Sequence, residues 1–210
     1  MDDYQSLFEA ILTGDARTAR AVTEKALAAG LDPMKLVQDF MMRAMAEVGR
    51  RFECHDYFVP ELLLAARAMK SALEPIRPLI AGQNVRTAGR VVIGTVIGDL
   101  HDIGKNLVIA MLEGAGFEVV DLGVNVPPGQ FVQEIKEKNP NIVALSALLT
   151  TTMPAMKTTI DALKQAGVRD RVKVIVGGAP ITQKYADEIG ADGYTETALG
   201  AVALARKVMA

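Results

Sequence analysis

His101 stands in the run Gly98-Asp-Leu-His-Asp-Ile-Gly104 and is one of two histidines in the chain. A neutral imidazole binds a transition metal through one ring nitrogen. Such a histidine usually donates its other N–H to a carboxylate, which fixes its tautomer and raises its basicity. Asp99, two residues upstream, can supply that carboxylate. Zinc and non-haem iron sites take three or four protein ligands. The other histidine, His55, follows the single cysteine, Cys54, and two adjacent side chains cannot complete such a site. One axial imidazole suits a metal already held by a macrocycle.

Two further clusters have the same character. Ser146 and Leu148 precede threonines at 150 to 152, and Gly177-Gly178 precede Ala179 and Pro180. Ser146 is expected to hydrogen-bond Asp99 from a neighbouring loop. Gly104 opens the following helix without a side chain. The Gly177-Gly178 pair leaves room for a bulky group to approach the backbone. Each feature alone has a plainer reading, as a polar loop residue, a helix cap or a turn. Their joint appearance after three strands favours a site.

The elements that must position these residues are legible as periodicity. Short β-rich runs at 91–97, 117–123, 141–146 and 172–178, with a weaker one at 192–197, alternate with helical segments near 104–115, 128–138, 153–166, 181–189 and 198–209. Five such alternations predict a parallel doubly wound sheet covered on both faces. The near-continuous apolar strands agree with burial on both sides. Ligands of such sheets bind beyond the carboxyl ends of the strands. With the strand order 2-1-3-4-5, the loops after strands one, three and four lie side by side.

Residues 1–81 read as a four-helix cap. Its expected helices cover Asp2 to Thr13, Asp15 to about Ala29, Asp32 to Phe52, and a stretch from about Pro60 to Ile76. Asp32 is an N-cap with Pro33 at the first helical position. Met41, Met42, Met45 and Met69 are expected in its core. Residues 82–90 form a polar linker, and 91–210 form the α/β domain.

A formal net charge of −2 gives no reason to expect nucleic acid or a membrane surface as partner. The absence of Trp weakens any base-stacking role. An unpaired cysteine fits a reducing cytoplasm. The acidic N-terminal stretch lacks a signal-type apolar core, and no uncharged run approaches the length of a membrane span.

The pattern Asp99-x-His101-x-x-Gly104, Ser146-x-Leu148, Gly177-Gly178 resembles that of cobalamin-binding domains of the methionine synthase and methylmalonyl-CoA mutase type. "VGRRFECHDYFVPELLLAARAM", residues 48–69, resembles the helical cap that precedes this domain in methyl-transferring members. The likeness covers nearly the whole chain and points to the corrinoid proteins cognate to methyltransferases. It implies a cobalamin or related corrinoid bound base-off, with His101 as lower axial ligand to cobalt. It implies that Asp99 and Ser146 extend that ligand as a relay and that the displaced tail enters beside Gly177, Gly178 and Ala179. Asp102, Ile103, Gly104, Leu148 and Thr150 would line the cofactor. Tyr57, Phe58, Val59 and Pro60 would cover its other face.

The implied function is a cytoplasmic methyl carrier, not catalytic by itself. It would accept a methyl group from a substrate-specific methyltransferase. It would deliver that group to a second methyltransferase acting on coenzyme M or tetrahydrofolate, with a reductive activase as a further partner. The methyl donor is left open. The alternatives are a cobalamin-dependent sensor, which would pair the same domain with an output module, and an HD-type metal phosphohydrolase. The latter is all-helical and needs further His and Asp ligands.

Overall fold

The computed structural model describes residues 4–80 and 88–209. Residues 82–87 of the expected linker lie outside the described residues, as do positions 2 and 3 of the expected first helix. The chain divides into two compact units, Met1–Arg86 with Glu113–Gly116, and Thr87–Leu112 with Phe117–Ala210.

The helical unit contains α1 (Gln5–Leu12), α2 (Ala16–Ala28), α3 (Pro33–Lys35), α4 (Met42–Glu53), α5 (Val59–Leu73) and α6 (Arg77–Ile80). Asp15 caps α2 by accepting from the Thr18 N–H. Asp32 accepts from the Met34 N–H, with Pro33 in the first turn as expected. Between α3 and α4 the helix widens into a π-helical stretch, Leu36–Met41, which a uniform 3.6-residue period does not predict. The wider turn lets Leu36 and Met41, five residues apart, both reach the core. Met45 and Met69 are buried with Met41, whereas Met42 is half-buried. On α5, Met69 is buried as expected, and Leu62, Ala65, Ala68 and Ala72 complete the core face. These small residues let α5 pack closely on α2.

The α/β unit is a five-stranded parallel sheet in the order β2-β1-β3-β4-β5. Its strands are β1 (Arg90–Thr95), β2 (Glu118–Asp121), β3 (Ile142–Ser146), β4 (Lys173–Gly177) and β5 (Gly193–Tyr194). Its helices are α7 (Ile103–Gly114), α8 (Pro128–Lys138), α9 (Pro154–Gln165), α10 (Gln183–Ile189) and α11 (Ala198–Met209). The expected fold class stands. The fifth strand is shorter than its predicted span because the chain turns at Thr195, whose hydroxyl accepts from the Thr197 N–H ahead of α11.

The register aligns the site. Thr95 pairs with Ser146, and Ser146 pairs with Gly177. The carboxyl ends of β1, β3 and β4 are therefore level, and the loops that leave them start from one line. Buried Val92, Val143, Leu145, Val174 and Val176 form the core beneath, with Phe131 and Ile135 of α8 and Met156 and Ile160 of α9. Gly94 allows that packing, since a Cβ there would lie 2.9 Å from the Phe131 ring.

Phe131 is fully buried among these side chains. Phe131→Ala is expected to cost about 3–5 kcal/mol of stability, as large-to-small core substitutions do. Urea unfolding of the full chain measures it, and a loss under 1 kcal/mol contradicts the packing described.

Candidate functional site

The Asp99 side chain is fully buried, at 0 % exposure. A buried carboxylate is tolerated only when its oxygens find donors. Oδ1 accepts from the His101 backbone N–H at 3.0 Å and lies 2.7 Å from the His101 Nδ1. Oδ2 accepts from the Thr152 hydroxyl at 2.6 Å and the Leu148 N–H at 2.8 Å, with the Leu149 N–H further off at 3.4 Å. Burial pushes this carboxyl up. The hydrogen bonds from Thr152, the His101 N–H, the Leu148 N–H and the His101 ring outweigh it and hold the group well below the usual carboxylate range.

The ionised state of Asp99 settles the tautomer of its neighbour. A carboxylate only accepts, so Nδ1 must carry the hydrogen, and whenever the ring is neutral its lone pair is on Nε2. The His101 side chain is 49 % exposed, so that nitrogen is not spent in the core. A hydrogen bond from the buried Thr95 hydroxyl to the His101 carbonyl, 2.9 Å, fixes the backbone behind the ring.

The loop after β3 supplies the other half of the contact, although not through the residue expected. Ser146 makes no hydrogen bond to Asp99. Its contribution is its carbonyl, which accepts from the Val96 N–H at 3.0 Å within the sheet. The hydroxyl that reaches Asp99 belongs to Thr152, which lies beyond the turn that brings the chain back over the carboxylate. Thr152 sits in the threonine run noticed in the sequence, but only the turn geometry distinguishes it from Thr150 and Thr151, both exposed.

At the third loop, Gly178 has φ +137, and a Cβ there would lie 1.9 Å from the Ala147 carbonyl oxygen. Only glycine permits that approach. Ala147 in turn donates its N–H to the Gly177 carbonyl at 3.3 Å. Ala179, next along, is exposed. The loops after β1, β3 and β4 are thus joined in sequence, through Asp99 with Leu148 and through Ala147 with Gly178.

Asp102 is exposed, and its Oδ2 accepts from Asn106 Nδ2 at 3.1 Å in the first turn of α7. Gly104 has nothing within 4 Å of where a Cβ would stand. Ile103 and Leu100 are 73 % and 70 % exposed, and Ile97, Val124, Leu148 and Leu149 are also exposed on the same edge. So many large apolar side chains on one set of loops mark a surface built to be covered. The sequence reading overlooked Lys105. Its side chain is 1 % exposed, and Nζ bonds Asp121 Oδ1 at 2.7 Å and Asn106 Oδ1 at 2.8 Å.

Tyr57, Phe58, Val59 and Pro60 lie in the helical unit, described by itself. Tyr57 is held by Arg51, whose guanidinium lies 5.2 Å over its ring and donates to its hydroxyl. That hydroxyl donates to the Leu12 carbonyl. The Phe58 N–H is capped by Glu61, and the residue is 61 % exposed, outside that unit's core.

No group of three or more His, Cys, Asp or Glu that could hold a bare metal ion occurs among the described residues. No helix among them is long and apolar enough to cross a membrane. One imidazole with a settled tautomer, beside open space and an apolar rim, fits a metal that arrives with its own large ring. The histidine follows strand β1 of a parallel sheet, so the all-helical phosphohydrolase reading does not hold.

These features define a class: a doubly wound parallel domain that presents one carboxylate-held histidine at its carboxyl edge, accompanied by a small helical unit. Comparison with known proteins gives the family. Residues 89–203 match the B12 binding domain family, and residues 4–76 match a second B12 binding domain family. Trimethylamine corrinoid protein 1 of Methanosarcina acetivorans is 48% identical over 203 residues, 96% of this chain and 94% of that one. The dimethylamine corrinoid protein of Methanosarcina barkeri is 44% identical over 207 residues, 98% and 97% of the two chains. A chain of the methanol:cobalamin methyltransferase complex MtaBC of Methanosarcina barkeri superposes with a TM-score of 0.89. It is 31% identical, and the match covers 99% of this chain and 80% of that one. The chain belongs to the B12-binding family of corrinoid proteins.

The hydroxyl assignment is testable without cofactor. Thr152→Val keeps the shape and removes a donor from a buried charge, which is expected to cost about 1–3 kcal/mol. Because Asp99 titrates below its ordinary 3.8 when folded, its stabilisation is complete at neutral pH and is lost as pH falls through the depressed value. Thr152→Val should therefore move acid unfolding to higher pH, whereas Ser146→Ala should leave it in place. Circular dichroism against pH measures both, and the reverse pattern would restore Ser146 to the contact.

Proposed function

We propose that this chain is a corrinoid-dependent methyl carrier and that His101 Nε2 is the lower axial ligand of a base-off corrinoid. One observation supports this above the others. A buried, ionised Asp99 holds the His101 Nδ1–H at 2.7 Å and leaves the lone pair of the opposite nitrogen for a metal. The bound corrinoid supplies a cobalt centre that can receive a methyl group and release it.

The protein's own residues do the rest. Asp99 orients the imidazole, and Thr152 with the Leu148 N–H keeps Asp99 ionised. Leu100, Ile103 and Leu148 offer apolar cover to the ring, while Asp102, Gly104 and Thr150 lie along the same edge. The displaced tail is assigned to the loop at Gly177, Gly178 and Ala179 through the family resemblance. The exposed Phe58, followed by Val59, is assigned to the cofactor's other side through the family resemblance.

The relatives named for trimethylamine and dimethylamine support a methylamine as the ultimate donor. A substrate-specific methyltransferase would load the carrier, as the name of the MtaBC complex describes for its own members. A second methyltransferase, with coenzyme M or tetrahydrofolate as acceptor, would unload it. A reductive activase would restore oxidised cofactor, all in the cytoplasm.

The purified chain should bind one corrinoid per protein. His101→Ala should change the visible spectrum of the bound cofactor, and second-layer variants such as Asp99→Asn should weaken its retention about 10- to 100-fold. Spectrophotometric titration with cobalamin checks all three. An unchanged spectrum in His101→Ala would remove His101 as ligand.

A further inference from the structure

The loop between β1 and α7 must turn the Asp99 side chain inward and the His101 side chain outward within three residues. Much of what holds it lies in the loop itself or in β3. The Asp99 N–H donates to the Val96 carbonyl at 3.1 Å, and the Val96 N–H to the Ser146 carbonyl at 3.0 Å. A third brace comes from the opposite side, from the segment between β2 and α8. Asn125 accepts from the Gly98 N–H through Oδ1 at 2.8 Å. Its own N–H donates to the Asp99 carbonyl at 2.9 Å.

Asn125 thus grips both sides of the Gly98–Asp99 dipeptide. It does so from φ +56, in the left-handed region that asparagine tolerates better than most residues. Gly98 is left-handed as well, with φ +82. The next residue anchors the brace to the strand: the Val126 N–H donates to the Thr95 carbonyl at 3.0 Å. At the other end Asp121 Oδ1 takes both the Lys105 ammonium and the Gly123 N–H, at 2.7 Å and 2.9 Å.

We propose that Asn125 is a positioning residue for the axial histidine. It hydrogen-bonds neither the imidazole nor its carboxylate. It holds the peptide that aims Asp99, and through Asp99 it selects the tautomer and orientation of His101. This rests on the proposed role of His101 as the cobalt ligand, but its first half concerns the protein alone.

The variants separate backbone conformation from side-chain acceptance. Asn125→Gly keeps the left-handed backbone and loses Oδ1. Asn125→Asp keeps an acceptor at that place and tolerates the conformation. Asn139→Gly is a control, an asparagine at φ +47 that ends α8, away from the His101 loop.

The first readout uses the full chain without cofactor. Nitrogen-15 chemical shifts of the His101 ring report its tautomer, and exchange of the Nδ1 proton with water reports its hold. Native protein and Asn125→Asp should show the Nδ1–H tautomer. In Asn125→Gly the tautomers should mix and the proton should exchange faster than in native protein.

The second readout is the axial-nitrogen hyperfine pattern in the electron paramagnetic resonance of the cob(II)alamin-loaded chain. It should weaken in Asn125→Gly and recover in Asn125→Asp. Thermal unfolding of every variant accompanies both readouts. Asn139→Gly, which keeps the left-handed C-cap and loses the acceptor for Arg171, should alter neither signature. If tautomer and exchange stay native in Asn125→Gly as in the control, whatever its stability, Asn125 is only structural and the proposal is overturned. If the tautomer responds but native protein shows no axial-nitrogen pattern, the positioning role stands and the ligand reading of His101 fails.

Discussion

A carboxylate with no exposed surface dominates this protein's α/β unit. Asp99 can stay charged there only because donors from two loops converge on it: the His101 N–H and ring on one oxygen, and Thr152 with Leu148 on the other. Removing water from a charge is costly unless every lone pair is met. The loops after β1 and β3 are therefore not free to drift. The same bonds that satisfy Asp99 determine which nitrogen of His101 carries a proton. Local stability and site chemistry are one arrangement viewed from two sides.

That arrangement depends on the sheet. A parallel β3 beside β1, in register from Val91 with Ile142 to Thr95 with Ser146, brings chain segments about fifty residues apart to the same level. β4 follows with Ser146 opposite Gly177. Loops that leave level strand ends can share hydrogen bonds over short distances, which is why such sheets hold ligands at this edge. The edge is braced from beneath by Thr95 and from the side by Asn125, so the histidine stands on a rigid base while its ring stays half exposed.

The surface surrounding it has the opposite character. Leu100 and Ile103, flanking the histidine in sequence, are more exposed than large apolar residues in the rest of the described chain. Water contact on such side chains is unfavourable by roughly 25 cal/mol per Å². A large flat apolar partner would recover that loss, whereas a bare ion would not. The charge of Asp99 is hidden and the apolar rim is shown. This is the inverse of an ordinary soluble surface and agrees with the B12-binding family to which the chain belongs.

The periodicity of the sequence was enough to determine the alternation of strands and helices, most of their boundaries, and the pairing of Asp99 with His101. These are local properties: a two-residue spacing in one loop and apolar runs along one strand. Tertiary structure decided what depends on return paths of the chain. Ser146 looked right because it ends a strand next to β1, yet its side chain leaves Asp99 unmet. Thr152 reaches the carboxylate only after the turn that follows Leu149. Asn125 acts across the β2 side of the sheet, where no spacing links it to His101, and Lys105, four residues after His101, meets Asp121 only there. The π turn at Leu36–Met41 likewise answers to core packing rather than to the helical period. Hydrogen bonds between residues some fifty positions apart depend on angles at turns, and a one-dimensional pattern does not contain those angles.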